Sequence, residues 1–201
     1  LTAVPAPAGS PHASWADHFR AACEAGLAAL GITYRGVSQT QMYTSGAYTE
    51  QVLHAMAHRD QIDAVLGRYR TLQQQDTADA NVDAEHAEVA TAAQEGSGAA
   101  TEDDGSTGGG YYPFRPYCSV CNTDFTTVTG YDDATAALTY TCERGHGETV
   151  DLREFHAGKL VWKVDWPMRW AFERVVFEPS GVDHQAPGSS YVVGRDLAPI
   201  F

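Results

Sequence analysis

The sequence predicts an α/β fold that a small β-rich insertion interrupts, and three observations support this prediction. Helical patterns flank a short β-branched segment near the beginning, cysteines at a metal-binding spacing lie among strand patterns in the middle, and further strand and helix patterns follow. Apolar residues make up 43% of the 201 residues, which is enough for a core. The predicted boundaries are 1–71 and 159–201 for the two parts of the core, 72–110 for a linker and 111–158 for the insertion.

The first helix of the core is predicted over 14–30. Ser14 is a residue type that caps helices, and apolar side chains recur behind it at helical spacing until Gly31. Cys23 falls on this apolar stripe and stands apart from the other three cysteines, so we expect it to be a small buried residue.

A strand, a loop and a second helix are predicted to follow. The β-branched stretch 32–37 favours the strand, and the polar stretch 38–46 favours a loop that breaks at Gly46. Apolar residues at helical spacing over 48–69 predict the helix, with a kink near Arg59. Helix, strand, loop and helix in this order are typical of half of a doubly wound α/β sheet.

An acidic, low-complexity linker is predicted over 72–110. It contains nine Asp or Glu and no Lys or Arg, and Gln, Ala, Gly and Ser make up most of the rest. Such a segment buries too little apolar surface to offset its chain entropy. We therefore expect a disordered tether, with partial helix over 82–93 as the alternative.

The charge balance and the cysteines limit the classes of function. The chain has 26 acidic and 13 basic residues, a formal net charge of −13, which argues against a free-standing nucleic-acid-binding surface made of basic residues. Most of the acidic excess lies in the linker, so the remainder can still have a nucleic-acid partner. No apolar run is long enough to predict a membrane span, and the first residues lack the pattern of a secretory signal. Grouped cysteines favour metal binding in a reducing cytoplasm over a disulfide framework.

The insertion has the pattern of a zinc ribbon, in which two pairs of metal ligands flank a β-hairpin. Strand patterns over 125–129 and 136–141 lie between the two pairs. The predicted metal ligands are Cys118, Cys121, Cys142 and His146. The second pair departs from a four-cysteine ribbon, because Gly145 stands where a cysteine would be expected. Four protein ligands leave no place for a reacting water, so the metal would be structural; the alternative is a hairpin held by packing without metal.

The stretch 159–190 concentrates aromatic and ionisable side chains and is the predicted functional site. Its predicted elements are a strand over 159–165, a turn at Pro167, a helix over 168–173, a strand over 175–178 and a loop over 187–190 that opens a helix. Asp165 and Trp166 would lie at the C-terminal end of the first strand, and Asp183 and His184 just past the second. Ligands bind at this edge of open α/β sheets, and amide groups at the start of the last helix would suit a phosphate.

Three motifs carry a family resemblance. They are Trp-Lys-Val-Asp-Trp-Pro-Met-Arg-Trp at 162–170, Phe-Glu-Pro-Ser-Gly-Val-Asp-His at 177–184 and Gly-Ser-Ser at 188–190. With these motifs the chain resembles the class I lysyl-tRNA synthetases, which are built on a Rossmann-type fold. The resemblance extends to 31–46 and to the insertion, and so covers almost the whole chain.

Two nucleotide-binding motifs of class I synthetases are absent from the sequence. The His-Ile-Gly-His-like motif would fall before residue 1, and the Lys-Met-Ser-Lys-Ser-like motif would fall after residue 201. We therefore expect an internal piece of a longer enzyme that is inactive by itself.

The resemblance implies ATP-dependent ligation of L-lysine to tRNA(Lys) through a lysyl-adenylate, in the cytoplasm and without a membrane partner. It also implies ATP with Mg²⁺ as cofactor and a structural Zn²⁺. An ammonium on an aliphatic stem calls for a carboxylate and aromatic faces, and the implied lysine-binding residues are Trp162, Asp165, Trp166 and Glu178. Gly181, Asp183 and His184 would bind the nucleotide, with Asp183 accepting from the ribose hydroxyls. Asp183 and His184 are the implied catalytic residues.

Other interpretations of the same residues stay open. Trp170 and Phe177 have spacings that fit core packing, and Arg169 would pair with either Asp165 or Glu178. For the chain as a whole, the alternative is a non-enzymatic zinc-ribbon module that binds a protein or a nucleic acid. Such a module has no need of the tryptophan-rich motif.

Overall fold

The computed structural model describes residues 4–70, 106–107 and 110–201. The chain divides into two compact units, one that ends at Met42 and one that runs from Tyr43 to Phe201. Most of the predicted linker, including the alternative helix over 82–93, lies outside the described residues. No helix in the described ranges has both the length and the apolar character that crossing a membrane requires.

Helix α1, Trp15–Ala29, confirms the predicted first helix and its cap. The Ser14 hydroxyl accepts the backbone N–H of Asp17 at 3.1 Å, a contact that typically stabilises a helix by about 1 kcal/mol. No residue of α1 is buried, and Cys23 is exposed, so the prediction of a buried cysteine is wrong. Helical periodicity shows which face of a helix is apolar, but it does not show that another element covers that face.

The predicted strand over 32–37 is wrong, because these residues form no regular element. Ile32 and Tyr34 are 48% and 50% exposed, and no described strand pairs with them. A β-branched stretch becomes a strand only when a partner completes its hydrogen bonds. The predicted polar loop is also partly wrong, since helix α2 covers Gln39–Thr44 before the predicted break at Gly46.

The second predicted helix is confirmed as two helices with a break between them. Helix α3 covers Thr49–Ala57, and helix α4 covers 59–70 of the described residues. The interruption at His58 agrees with the kink predicted near Arg59. The buried side chains of this pair belong to one apolar stripe and are Val52, Ala55, Met56, Ile62 and Leu66.

The described strands form three antiparallel sheets. They are β1 (Ser106–Thr107) with β2 (Gly110–Tyr111), β3 (Phe114–Pro116) with β7 (Gly158–Leu160), and β4 (Thr126–Asp132), β5 (Ala137–Cys142) and β6 (Gly147–Asp151) in the order β4-β5-β6. Strands β4 and β5 confirm the predicted hairpin. Strand β6 was not predicted, because its side chains are mostly exposed and polar and give no apolar alternation. Strand β1 and the first residue of β2 fall in the range predicted as linker.

The predicted strand over 159–165 is wrong. Strand β7 ends at Leu160, and helix α5 covers Trp162–Glu173 with Pro167 inside it rather than in a turn before it. The tryptophans of this segment are four residues apart, a spacing that places them on one face of a helix. Alternation over a few residues was therefore a misleading signal here.

The predicted strand over 175–178 is also wrong. This segment is irregular, and its Val176 and Phe177 are 100% and 80% exposed, so Phe177 is not a core residue. A 3-10 helix, Val182–Gln185, then precedes helix α6, Ser190–Leu197, and a last 3-10 turn, Ala198–Ile200. Helix α6 begins at Ser190, which confirms the prediction that the loop over 187–190 opens a helix. The fold is mixed α and β, and the described strands include no parallel pair.

Candidate functional site

The three tryptophans of helix α5 form a continuous aromatic ladder. Trp162 and Trp166 stack with ring centres 5.3 Å apart and an interplanar angle of 26°, and Trp170 follows 5.4 Å from Trp166. Tyr191 of α6 meets Trp166 and Trp170 edge to face at 6.0 and 5.6 Å. Such aromatic pairs are worth about 0.5–1.5 kcal/mol each beyond their buried area, so these contacts stabilise the arrangement of the four rings.

Helices α5 and α6 approach each other closely at Gly194. A Cβ atom at this position would lie 3.1 Å from Cη2 of Trp170, which is tighter than ordinary side-chain contacts. Glycine therefore permits the close packing that holds Tyr191 against the ladder. Trp170 is half-buried by this contact rather than enclosed in a core.

Asp165 is the buried charge beside the ladder. Its side chain accepts a hydrogen bond from the Tyr43 hydroxyl at 2.5 Å, and only 8% of the residue is exposed. Arg169 places Nε 2.9 Å from the other carboxylate oxygen, but its N–H is not aligned for a hydrogen bond, so the contact is an ion pair. The Arg169 guanidinium also lies 5.1 Å from the ring centre of Trp162. The open choice for Arg169 is thus settled in favour of Asp165.

In the hydrogen bond between Tyr43 and Asp165, the proton stays on the Tyr43 hydroxyl. Burial raises the pKa of Asp165, although the hydrogen bond from Tyr43 and the charge of Arg169 act in the opposite direction. Burial, and then the charge of Asp165, raise the pKa of Tyr43 well above its ordinary value. Tyr43 therefore stays a neutral donor at physiological pH and cannot act as a base.

Glu178 lies on a cleft next to the ladder. The cleft has a volume of about 480 Å³, and its walls include Trp170, Phe177, Tyr191 and Arg195. One oxygen of Glu178 accepts the indole N–H of Trp170 at 2.8 Å. The cleft thus combines aromatic walls with one carboxylate and one guanidinium. Of the predicted lysine-binding residues, only Glu178 lines it.

The predicted nucleotide-binding residues lie on an exposed turn. Gly181, Asp183 and His184 are exposed, and the backbone N–H of His184 donates to the Gly181 carbonyl at 3.0 Å. The Ser189 hydroxyl donates to the His184 carbonyl and ties the turn to the start of α6. The His184 ring lies 5.8 Å from Trp166, edge to face. The structure therefore brings His184 to the tryptophan ladder, although the strands that were predicted to place both residues at one sheet edge are absent from the described residues.

The four predicted metal ligands converge. The ligand atoms of Cys118, Cys121, Cys142 and His146 all lie within 4.8 Å of one another. Nδ1 of His146 is 3.6 Å from Sγ of Cys118 and 3.4 Å from Sγ of Cys142, and the sulfurs of Cys121 and Cys142 are 3.9 Å apart. Tetrahedral zinc at ordinary bond lengths spaces two sulfurs by about 3.8 Å and a sulfur and a nitrogen by about 3.5 Å. The cluster therefore fits a tetrahedral metal ion.

Two tight turns present these ligands. The Cys142 amide donates to the His146 carbonyl at 2.8 Å, and Gly145 takes φ +81°, a conformation that favours glycine. This turn absorbs the extra residue that separated the second pair from a four-cysteine pattern. Burial raises the pKa of Cys118, but the amide N–H groups of Cys121 and Val120 outweigh it and lower the value to about 6. A thiolate at neutral pH is the form that binds metal.

Three residues around the site were not predicted. Tyr43 lies 122 residues before Asp165, a separation at which no local pattern reports a contact. Tyr191 and Arg195 project from α6 at helical spacing, and only the packing of α6 against α5 reveals that they border the cleft. Tyr43 lies in the stretch 31–46, to which the family resemblance extends, and this was the one available signal.

Comparison with known proteins assigns the chain to a family. All residues, 1–201, match the family model described as tRNA synthetases class I (K). The chain is 58% identical over 203 residues to the lysine–tRNA ligase of Streptomyces coelicolor, covering 100% of this chain and 34% of that protein. It is 35% identical over 195 residues to the lysine–tRNA ligase of Treponema pallidum, covering 97% and 31%. With lysine–tRNA ligase 1 of Methanosarcina acetivorans it shares 34% over 198 residues, covering 98% and 30%.

The chain thus spans about a third of the length of the curated relatives it matches. The matched regions nevertheless cover 97–100% of this chain. The chain belongs to the class I tRNA synthetases of the lysine (K) type.

Proposed function

We propose that this chain is a segment of the catalytic core of a class I lysine–tRNA ligase. The full-length enzyme would convert ATP and L-lysine to lysyl-adenylate and pyrophosphate, and then transfer lysine to the 3′-terminal ribose of tRNA(Lys) in the cytoplasm. A Rossmann-type core would be completed by parts of the enzyme beyond this chain. The observation that carries the proposal is the charged, aromatic-walled cleft beside the exposed turn with Asp183 and His184.

Glu178 is the carboxylate that we assign to the lysine side chain. It lies on the cleft, half-buried, with Trp170 bound to one oxygen and aromatic walls around it. An ammonium between a carboxylate and aromatic faces gains a charge-assisted hydrogen bond and cation–π attraction of about 0.5–2 kcal/mol. Arg195 on the same cleft offers the opposite charge for a carboxylate or phosphate oxygen.

Asp165 has a supporting role in this proposal. Both of its oxygens face partners, Tyr43 and Arg169, and little of it is exposed. A buried carboxylate that is already neutralised has a small remaining attraction for a second cation. Trp162 and Trp166 would then form the outer wall of the substrate region, with Trp162 the more exposed of the two.

The exposed turn is assigned to the nucleotide. Asp183 would accept from the ribose hydroxyls, His184 would face the adenylate beside Trp166, and Gly181 would let the backbone approach the ligand. The amide groups at the start of α6 suit phosphate oxygens, and Mg²⁺ would accompany ATP. No group in this arrangement acts as a covalent nucleophile, so catalysis would rest on positioning and on stabilising the charge of the α-phosphate.

The metal-ligand cluster is assigned a structural Zn²⁺. Three sulfurs and one imidazole nitrogen at tetrahedral spacing suit zinc better than the harder cations that prefer oxygen. Cys118, Cys121, Cys142 and His146 would hold it with all four positions occupied by protein atoms. Bound zinc would fix the two turns, with no direct part in the reaction.

Lysine-dependent ATP–pyrophosphate exchange by the full-length protein tests the proposed function. We expect exchange with lysine and not with other amino acids, and a loss of about a hundredfold or more in Asp183→Ala and in His184→Ala. Residues 1–201 alone are the matched control and are expected to be inactive. A folded full-length protein without exchange would instead favour the zinc-ribbon binding module.

A further inference from the structure

Tyr43 stands between two parts of the molecule that the proposed function treats separately. We propose that it is a positioning residue that ties the β3–β7 strand pair to helix α5 and thereby fixes Trp162 and Trp166 for the amino-acid substrate. This inference rests on the proposed function for its substrate and on the geometry for its mechanism.

The first part is the strand pair β3–β7, between whose strands residues 117–157 form the metal-cluster region. Strand β3 pairs with β7 in antiparallel register, with Phe114 opposite Leu160 and Pro116 opposite Gly158. The segment between the two strands therefore begins and ends at the same place in the unit. The backbone N–H of Leu160, the last residue of β7, donates to the Tyr43 hydroxyl at 3.1 Å.

The second part is the charged cluster on α5. The same Tyr43 hydroxyl donates to Asp165 at 2.5 Å, and Asp165 holds Arg169 at 2.9 Å. The guanidinium of Arg169 in turn lies over Trp162, which stacks on Trp166. One hydroxyl thus accepts from the strand pair and donates to the network that supports the tryptophan ladder.

The geometry gives the hydroxyl more than a packing role. The Tyr43 ring is held independently of its hydroxyl, because it meets the buried Tyr48 edge to face at 5.0 Å, and Tyr48 meets Phe172 at 4.9 Å. Removing only the oxygen should therefore keep the ring in place. It would leave the Asp165 carboxylate with one buried oxygen unpaired and free Arg169 to shift from Trp162.

The test is Tyr43→Phe in the full-length protein. We expect the KM for lysine to rise about threefold to thirtyfold, as for a residue that acts on a site through a network and not by contact, with the KM for ATP within about twofold of wild type. The near-UV circular dichroism of the stacked tryptophans should change as well. Tyr34→Phe is the matched control, since Tyr34 donates to Glu24 at 2.7 Å on an exposed surface, and it should alter neither readout.

A substitution of Arg169 tests the same network without changing Tyr43. Arg169→Gln should reproduce both effects, and the double variant should cost less than the sum of the two singles because the residues act through one network. A Tyr43→Phe protein with a lower melting temperature, but with unchanged KM for lysine and unchanged dichroism, would overturn the proposal. If wild type shows no lysine-dependent exchange, the proposed function fails, and the dichroism alone then decides the role of Tyr43.

Discussion

Loss of one cluster sulfur should cost the protein the proposed zinc ion and much of the stability of the metal-cluster region. Cys142 is the most informative position, because its Sγ lies 3.9 Å from Cys121 and 3.4 Å from the His146 nitrogen and the residue is buried. Substitution Cys142→Ser replaces a soft thiolate by a hydroxyl that binds zinc poorly. The backbone turn and the side-chain volume are nearly preserved.

The magnitude follows from the preformed geometry. Three of the spacings lie within a few tenths of an ångström of those of tetrahedral zinc, and all four ligand atoms lie within 4.8 Å of one another, so binding needs only a small adjustment of the folded chain. At free zinc about a hundredfold above the dissociation constant, binding adds about 2.7 kcal/mol to the free energy of unfolding. For a region of under a hundred residues this corresponds to about 10–20 °C in melting temperature.

The assay combines metal content with thermal unfolding. Native mass spectrometry should find one zinc per wild-type chain, and Co²⁺ in its place should give the visible bands of a tetrahedral thiolate site. Cys142→Ser should lose both and melt about 10–20 °C lower in zinc buffer. Cys23→Ser is the matched control, because Cys23 is exposed on α1 and outside the cluster. A Cys142→Ser protein with full zinc content, or wild type that melts identically with and without chelator, would refute the reasoning.

Three further predictions concern the cleft, the exposed turn and a surface ion pair. Glu178→Gln keeps an acceptor for the indole but removes the charge, so the KM for lysine should rise about ten- to a hundredfold; an unchanged KM would contradict the assignment. Gly181→Ala places a Cβ 3.3 Å from an Asp183 oxygen, so ATP affinity should fall while the KM for lysine holds; equal loss of both would indicate general damage. The Arg59 hydrogen bond lowers the pKa of Asp133 below 3.8, so the pair stabilises the fold above about pH 4 and this gain fades as pH falls through the folded-state pKa. NMR titration of Arg59→Met should show the Asp133 pKa raised, and no change would contradict the pairing.

Local signals in the sequence predicted α1, the helix pair α3 and α4, the start of α6 and the β4–β5 hairpin. Ser14 caps α1 by accepting the backbone N–H of Asp17, and Gly46 follows α2 with a positive φ that favours glycine. Each effect therefore involves only residues a few positions apart. The four clustered side chains were predicted from spacing, because metal-binding motifs place their ligands at short, repeated separations along the chain. Their convergence required only a hairpin, which is itself a local structure.

The failures came from elements whose state depends on distant partners. The 32–37 stretch has strand-like residues but no described partner strand, and 175–178 is as apolar as a strand while its side chains are exposed. The 159–165 stretch alternates like a strand, yet the tryptophan spacing and the contacts with α6 favour a helix. Burial and pairing are tertiary properties, and they override local propensity wherever the two disagree.

The location of Tyr43 shows why the cleft region could not be assembled from motifs alone. Its partner Asp165 follows 122 residues later, and both the predicted linker and the metal-cluster region lie between them. Closing a longer loop costs little, about 0.6 kcal/mol for each doubling in length, so the site tolerates a large intervening segment once β3 and β7 are paired. The strand pair places the backbone N–H of Leu160 against the Tyr43 hydroxyl, and the same hydroxyl donates to Asp165. In the role proposed for Tyr43, the pairing of two short strands, which gives no periodic signal in the sequence, thus helps to position the helix that carries the tryptophan motif.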